Sequence, residues 1–97
     1  MESTTSGGEP LVIPLHGRMD TTACKACEAD ILNRVRNARG PITFDMKAVD
    51  YVSSMFLRLC LEVVQSAGAA NFALAEVHPE IKKVFKIAGL DRQIRIS

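Results

Sequence analysis

Two adjacent serines lie in the run Val52-Ser53-Ser54-Met55-Phe56-Leu57-Arg58, between a strand-like segment at 42–46 and an apolar helical pattern at 56–67. A hydroxyl at a strand-to-helix junction can accept a hydrogen bond from a first-turn amide, a cap worth about 1 kcal/mol. It can also carry a phosphate. That modification would add a charge of about −1.5 to −2, which the amino end of a helix stabilises. On a docking surface the same charge would repel a partner without unfolding the chain.

Other candidate groups give weaker signals. Cys24-Lys25-Ala26-Cys27 has the CxxC spacing of redox and zinc sites. A redox pair needs its first thiol activated at the mouth of a helix that follows a strand. These two lie inside a helical pattern and extend its apolar stripe. Zinc needs two further ligands, and the sequence has no second CxxC and no HxxxH. Both cysteines, and Cys60 with them, read as small packing residues. His16 and His78 have no companion residues in a triad-like motif; His16 reads as a strand end and His78 as a helix cap. No glycine-rich phosphate loop is present. No enzyme activity, cofactor or metal is expected.

The 97 residues suit one domain. A net charge of +1 favours neither nucleic acid nor a membrane surface. The amino terminus lacks a basic segment followed by an apolar one, so it does not read as a signal peptide, and a cytoplasmic location is expected. Residues 1–9 are Ser-, Thr-, Gly- and Glu-rich and read as a disordered tail. Residues 10–97 read as the folded domain.

The elements that would position the serines alternate. Residues 11–15 form an apolar strand, with Pro14 marking a sheet edge or a bulge and Gly17 a turn. Asp20 caps a helix whose face is Cys24, Cys27, Ile31, Val35 and Ala38. A strand at 42–46, the helix at 56–67 ended by Gly68 and a strand at 71–75 follow. His78-Pro79 opens a third helix with the stripe Ile81, Val84, Phe85 and Ala88. Its basic sector, Lys82, Lys83 and Lys86, reads as a solvated face or as a surface for an acidic partner. Ile94 and Ile96 suggest a short edge strand. Alternating strands and helices imply crossover units, hence an α/β fold on a mostly parallel sheet. The second helix is apolar on two sides, with Phe56, Leu59, Val63 and Ala67 on one and Leu57, Cys60, Leu61 and Val64 on the other. It is therefore either deeply buried or a docking surface. Arg58 and Glu62 are placed to pair across one turn.

Three stretches carry a family resemblance: residues 14–20, with Gly17-Arg18-Met19-Asp20; residues 42–58, ending in Ser53-Ser54-Met55-Phe56-Leu57; and residues 78–91, ending in Gly89-Leu90-Asp91. Together they resemble the STAS domain of bacterial anti-sigma factor antagonists. The resemblance implies a STAS-like single domain with a mixed, mostly parallel sheet and helices packed on it. It also implies that the chain binds an anti-sigma serine kinase when unphosphorylated and is released on phosphorylation at Ser54, with Ser53 as the alternative site. A serine phosphatase would restore the unmodified form. The expected docking surface is Asp20, Ser53, Ser54, Met55, Phe56, Arg58 and Glu62.

The sequence departs from the family pattern at two positions. Ser53 stands where aspartate is frequent, and Phe56 where glycine is usual. A ring at Phe56 would either block a kinase's close approach or serve as an anchor. The second possibility gives an alternative function, a constitutive adaptor subunit such as a lipid-transport ATPase partner. A thiol redox protein using Cys24 and Cys27 is a third class. An uncovered sheet edge or face would favour a homodimer.

Overall fold

The computed structural model describes residues 9–97. The tail expected at residues 1–9 therefore lies outside the described residues, apart from the exposed Glu9. Strand β1 (Leu11–Met19) leads into helix α1 (Thr21–Asn37), and β2 (Ile42–Val52) into α2 (Ser54–Ala67). A 3-10 turn (Ala69–Asn71) precedes β3 (Phe72–Ala75), which is followed by α3 (Pro79–Ile87). A second 3-10 turn (Leu90–Arg92) leads to β4 (Arg95–Ile96). The four strands lie side by side in the order β1-β2-β3-β4, and every pairing is parallel. Crossovers that keep one hand and move in one direction set their helices on the same face of the sheet.

The strand side chains follow from that one-sided cover. Ile13 and Leu15, Ile42, Phe44 and Met46, and Phe72 and Leu74 are buried, while their neighbours Val12, Pro14, Thr43 and Ala73 are exposed or half-buried. The buried set joins Cys24, Ile31 and Val35 of α1, Phe56, Leu59, Cys60 and Val63 of α2, and Ile81 and Phe85 of α3 in one core. Phe44 lies at its centre, 4.8 Å from Phe72 edge-on and 6.2 Å from Phe56.

Two strands run further than the sequence suggests. β1 continues through Gly17 to Met19, and β2 through Val49 to Val52. The reason lies in their pairing. Register slips occur between Pro14 and His16 and between Gly17 and Arg18. At each slip β2 contributes one extra residue, so nine residues of β1 pair along eleven of β2. Gly17, at φ 80, takes the left-handed backbone, a conformation costly for other residues, on the strand opposite the second extra residue. The turn expected at Gly17 is thus a position inside a strand, beside a bulge of β2. Pro14 lies at the other slip on an edge strand, as its missing N–H requires. His16, expected at a strand end, lies within β1 opposite Ala48.

α3 is narrower than its expected stripe. Ile81 and Phe85 are buried, whereas Val84 and Ala88 are exposed. The helix touches the core only along its inner line, Ile81 and Phe85. His78 occupies the N-cap position without a side-chain cap; its Nε2 lies 3.0 Å from the Lys47 carbonyl.

Candidate functional site

Met19 and Val52 are register partners at the carboxyl ends of β1 and β2. Helices α1 and α2 therefore start side by side at one edge of the sheet. Asp20 caps α1, its carboxylate accepting from the Ala23 amide at 2.9 Å. Ser53 caps α2: its hydroxyl accepts from the Phe56 amide at 3.3 Å and donates to the Met19 carbonyl at 2.9 Å. The Ser53 amide donates to the same carbonyl at 3.0 Å, and the Cys24 thiol points at it from 3.7 Å. One carbonyl thus pins the starts of both helices.

This arrangement separates the two serines. The Ser53 hydroxyl is occupied as donor and as acceptor, and it is half-buried beside Cys24 Sγ at 4.0 Å. Ser54, the first residue of α2, is exposed. Its side chain has no hydrogen-bond partner among the described residues. A modifying enzyme reaches Ser54 directly, and could reach Ser53 only by breaking the cap.

Phe56 is not part of the surface. It is fully buried (0 % exposed), between Phe44 at 6.2 Å and Phe85 at 6.4 Å. It starts the inward line of α2, continued by Leu59, Cys60 and Val63 at steps of three and four. The expectation that Phe56 docks a partner is therefore corrected: the ring cannot serve as an anchor. The bulk added where glycine is usual points into the core, filling space beneath α3. The two apolar sides of α2 also have separate explanations. Phe56, Leu59, Cys60 and Val63 are core, while Leu57, Leu61 and Val64 are only partly covered at its margins.

The remaining expected site residues lie along the outside of α2. Arg58 is exposed, Met55 half-buried, and Glu62 half-buried beside α1. Oxygen Oε1 of Glu62 is shielded from solvent with no hydrogen-bond partner among the described residues. Its carboxyl is held above the usual range near 4.5, first by Glu28 of α1, with which it can hydrogen-bond once one of the two is protonated, then by burial and the Glu28 charge; Arg58 and Arg36 pull it back down. Asp20 sits at the start of α1, beside the serine turn but outside the α2 ridge.

Two features escape sequence reasoning. The Met19 carbonyl is a backbone group whose role depends on strand register. Arg18 stacks its guanidinium over the Tyr51 ring at 4.2 Å, one residue before the turn. Their types permit this contact, but only the doubly slipped register places them opposite one another.

The cysteines are packing residues, as their helical spacing suggests. Burial, the largest influence on each, raises the thiol pKa of Cys24 and Cys27 and raises that of Cys60 further. A group kept protonated makes a poor nucleophile. Among the described residues, no group of three His, Cys, Asp or Glu side chains could hold a metal ion, and no helix is long and apolar enough to cross a membrane.

Comparison with known proteins agrees with this geometry. The chain is 27% identical over 81 residues to BtrV of Bordetella bronchiseptica, named as an anti-sigma factor antagonist; the match covers 81% of this chain and 70% of that protein. The unphosphorylated form of the anti-sigma factor antagonist SpoIIAA superposes with a TM-score of 0.75 at 23% identity, covering 92% of this chain and 80% of that one. The phosphorylated form of SpoIIAA, described as a Bacillus cell fate determinant, gives 0.67 at 24% identity, covering 92% and 83%. These two likenesses are of fold. The model of the STAS domain matches residues 2–97, so this chain belongs to the STAS domain family.

Proposed function

We propose that this chain is an anti-sigma factor antagonist that acts by partner switching, with Ser54 as the switch. The observation that carries the reading is the division of labour at the turn: Ser53 is consumed as a cap, and Ser54 stands exposed on the first turn of α2. The similarity to BtrV supports the same reading.

In this scheme the unmodified chain binds an anti-sigma serine kinase through Ser54, Met55, Arg58 and Glu62, with Asp20 and Ser53 holding the turn in shape. The kinase transfers the γ-phosphoryl group of ATP to Ser54 Oγ. A new P–O bond forms there, the bond to ADP breaks, and the hydroxyl proton leaves. The added charge ends the complex by repulsion and by the cost of burying it at the interface. A serine phosphatase hydrolyses the ester, returning the serine and inorganic phosphate. The chain itself catalyses neither step.

The test uses the full chain with the kinase encoded nearest to it. Kinase and ATP should add one phosphate, mapped to Ser54 and absent from Ser54→Ala. The phosphomimetic Ser54→Asp should fold normally and lose affinity for the kinase. Phosphate on Ser53, or wild-type affinity in Ser54→Asp, would overturn the reading.

A further inference from the structure

Helix α2 contains one cation, Arg58, and one anion, Glu62. Ser54, Arg58 and Glu62 are four residues apart, so they stand on successive turns of one face. Arg58 lies between a switch residue on one side and a carboxyl on the other. That carboxyl is already compromised, with Oε1 of Glu62 shielded and without a partner among the described residues. Glu28 of α1 faces it closely enough for the two groups to hydrogen-bond once one is protonated, and the nearby cations are Arg58 of α2 and Arg36 of α1.

We infer that Arg58 binds the phosphate on Ser54, and that in doing so it turns away from Glu62. This rests on the assignment of Ser54 as the phosphorylated residue.

Three physical arguments favour the phosphate in the competition for Arg58. An acidic group four residues before a basic one is the stronger order on a helix, and the reverse order is the weaker. Phosphate at Ser54 occupies the stronger order, Glu62 the weaker. The phosphate also carries about −1.5 to −2 charge, against at most −1 on a carboxyl that shares its environment with Glu28. Finally, the planar guanidinium matches phosphate oxygens in a two-point contact. Phosphorylation then does two things at the docking ridge: it adds negative charge, and it withdraws the one cation α2 offers a partner. The loss of Arg58 is passed to α1 through Glu28.

The test installs phosphoserine at position 54 during translation, so no kinase is involved. It compares wild type, Arg58→Gln and Arg58→Lys in the full chain, with folding checked by amide NMR spectra. Phosphorus NMR should give a second phosphate pKa lower in wild type than in Arg58→Gln by about 0.2–0.4 unit, the size of an exposed helical pair; Arg58→Lys should fall between. Carbon NMR of the Glu62 carboxyl should show a higher midpoint in the phosphorylated chain than in the unmodified one, a difference absent in Arg58→Gln. A phosphate pKa that Arg58→Gln leaves unmoved, or a Glu62 midpoint that phosphorylation leaves unmoved, overturns the inference. A kinase that ignores Ser54 would count against the proposed function instead.

Discussion

The Ser53 hydroxyl donates to the Met19 carbonyl at 2.9 Å, a contact between residues 34 apart in sequence that fastens the start of α2 to the end of β1. Because Ser53 also accepts from the Phe56 amide, its hydroxyl is a structural part. Ser53→Ala should lower stability by about 1–2 kcal/mol, the sum of a lost cap and a lost part-buried hydrogen bond. Chemical denaturation should show a lower midpoint with an unchanged slope. A stability equal to wild type would show that the cap is dispensable.

Ser54 should behave differently in the same assay. Its exposed side chain meets no partner among the described residues, so Ser54→Ala should stay within about 0.5 kcal/mol of wild type. The contrast between neighbouring serines is measurable without any binding partner.

Phe56 has its ring between Phe44 and Phe85. Phe56→Ala should cost about 3–5 kcal/mol, the range for emptying a buried aromatic site, and it should loosen α3 along with α2. Thermal unfolding measures the first effect, and hydrogen exchange of α3 amides the second. A mild loss with normal α3 protection would contradict the packing described.

Glu62 gives a pH dependence whose sign is fixed. Its carboxyl is raised in the folded chain, so the folded state holds a proton that the unfolded state has already released. Stability from this group is present at low pH and falls as pH rises from the ordinary carboxyl range through the raised value; above it the loss is constant. Glu62→Gln, which keeps a donor toward Glu28 at every pH, should remove that slope and be more stable than wild type at neutral pH. Denaturation midpoints between pH 4 and pH 8, about the window in question, provide the comparison.

Thiol labelling should rank the cysteines by cover. Cys24 and Cys60 are fully buried, and Cys27 is half-buried. Cys27 should react first, and the other two only on unfolding. Fast reaction of Cys24 in the native chain would revive a redox role.

Much of the fold was legible because local signals agree with it. Asp20 has the chemistry of a cap and acts as one; Cys24, Ile31 and Val35 have helical spacing and are buried; Pro14 announces a slip on an edge strand. The ends of β1 and β2 were not legible, because Lys47-Ala48 and Asp50-Tyr51 interrupt the alternation that marks a strand. Only a partner strand reveals such interruptions as bulges. Phe56 was ambiguous for a different reason. A helix apolar on two sides does not say which side meets the sheet, and the answer came from Phe44 and Phe85, on elements distant in sequence. The candidate site was legible as a pair of serines, but which serine is free depends on the Met19 carbonyl.

The two slips in β2 also bear on how this chain tolerates changes in length. From Ile42 to Met46 every second residue points inward; after that the inward residues are Val49 and Val52, three apart. Each slip places one extra residue between two inward-facing ones. Losing one residue at 47–48 or 50–51 would therefore straighten the ladder and leave the inward residues facing inward. Losing one at 43–45 would turn over the segment beside it, exposing core residues such as Phe44. The approach to the serine turn is thus buffered: β2 can lose a residue just before it without turning Val52 out or releasing Ser53 from Met19.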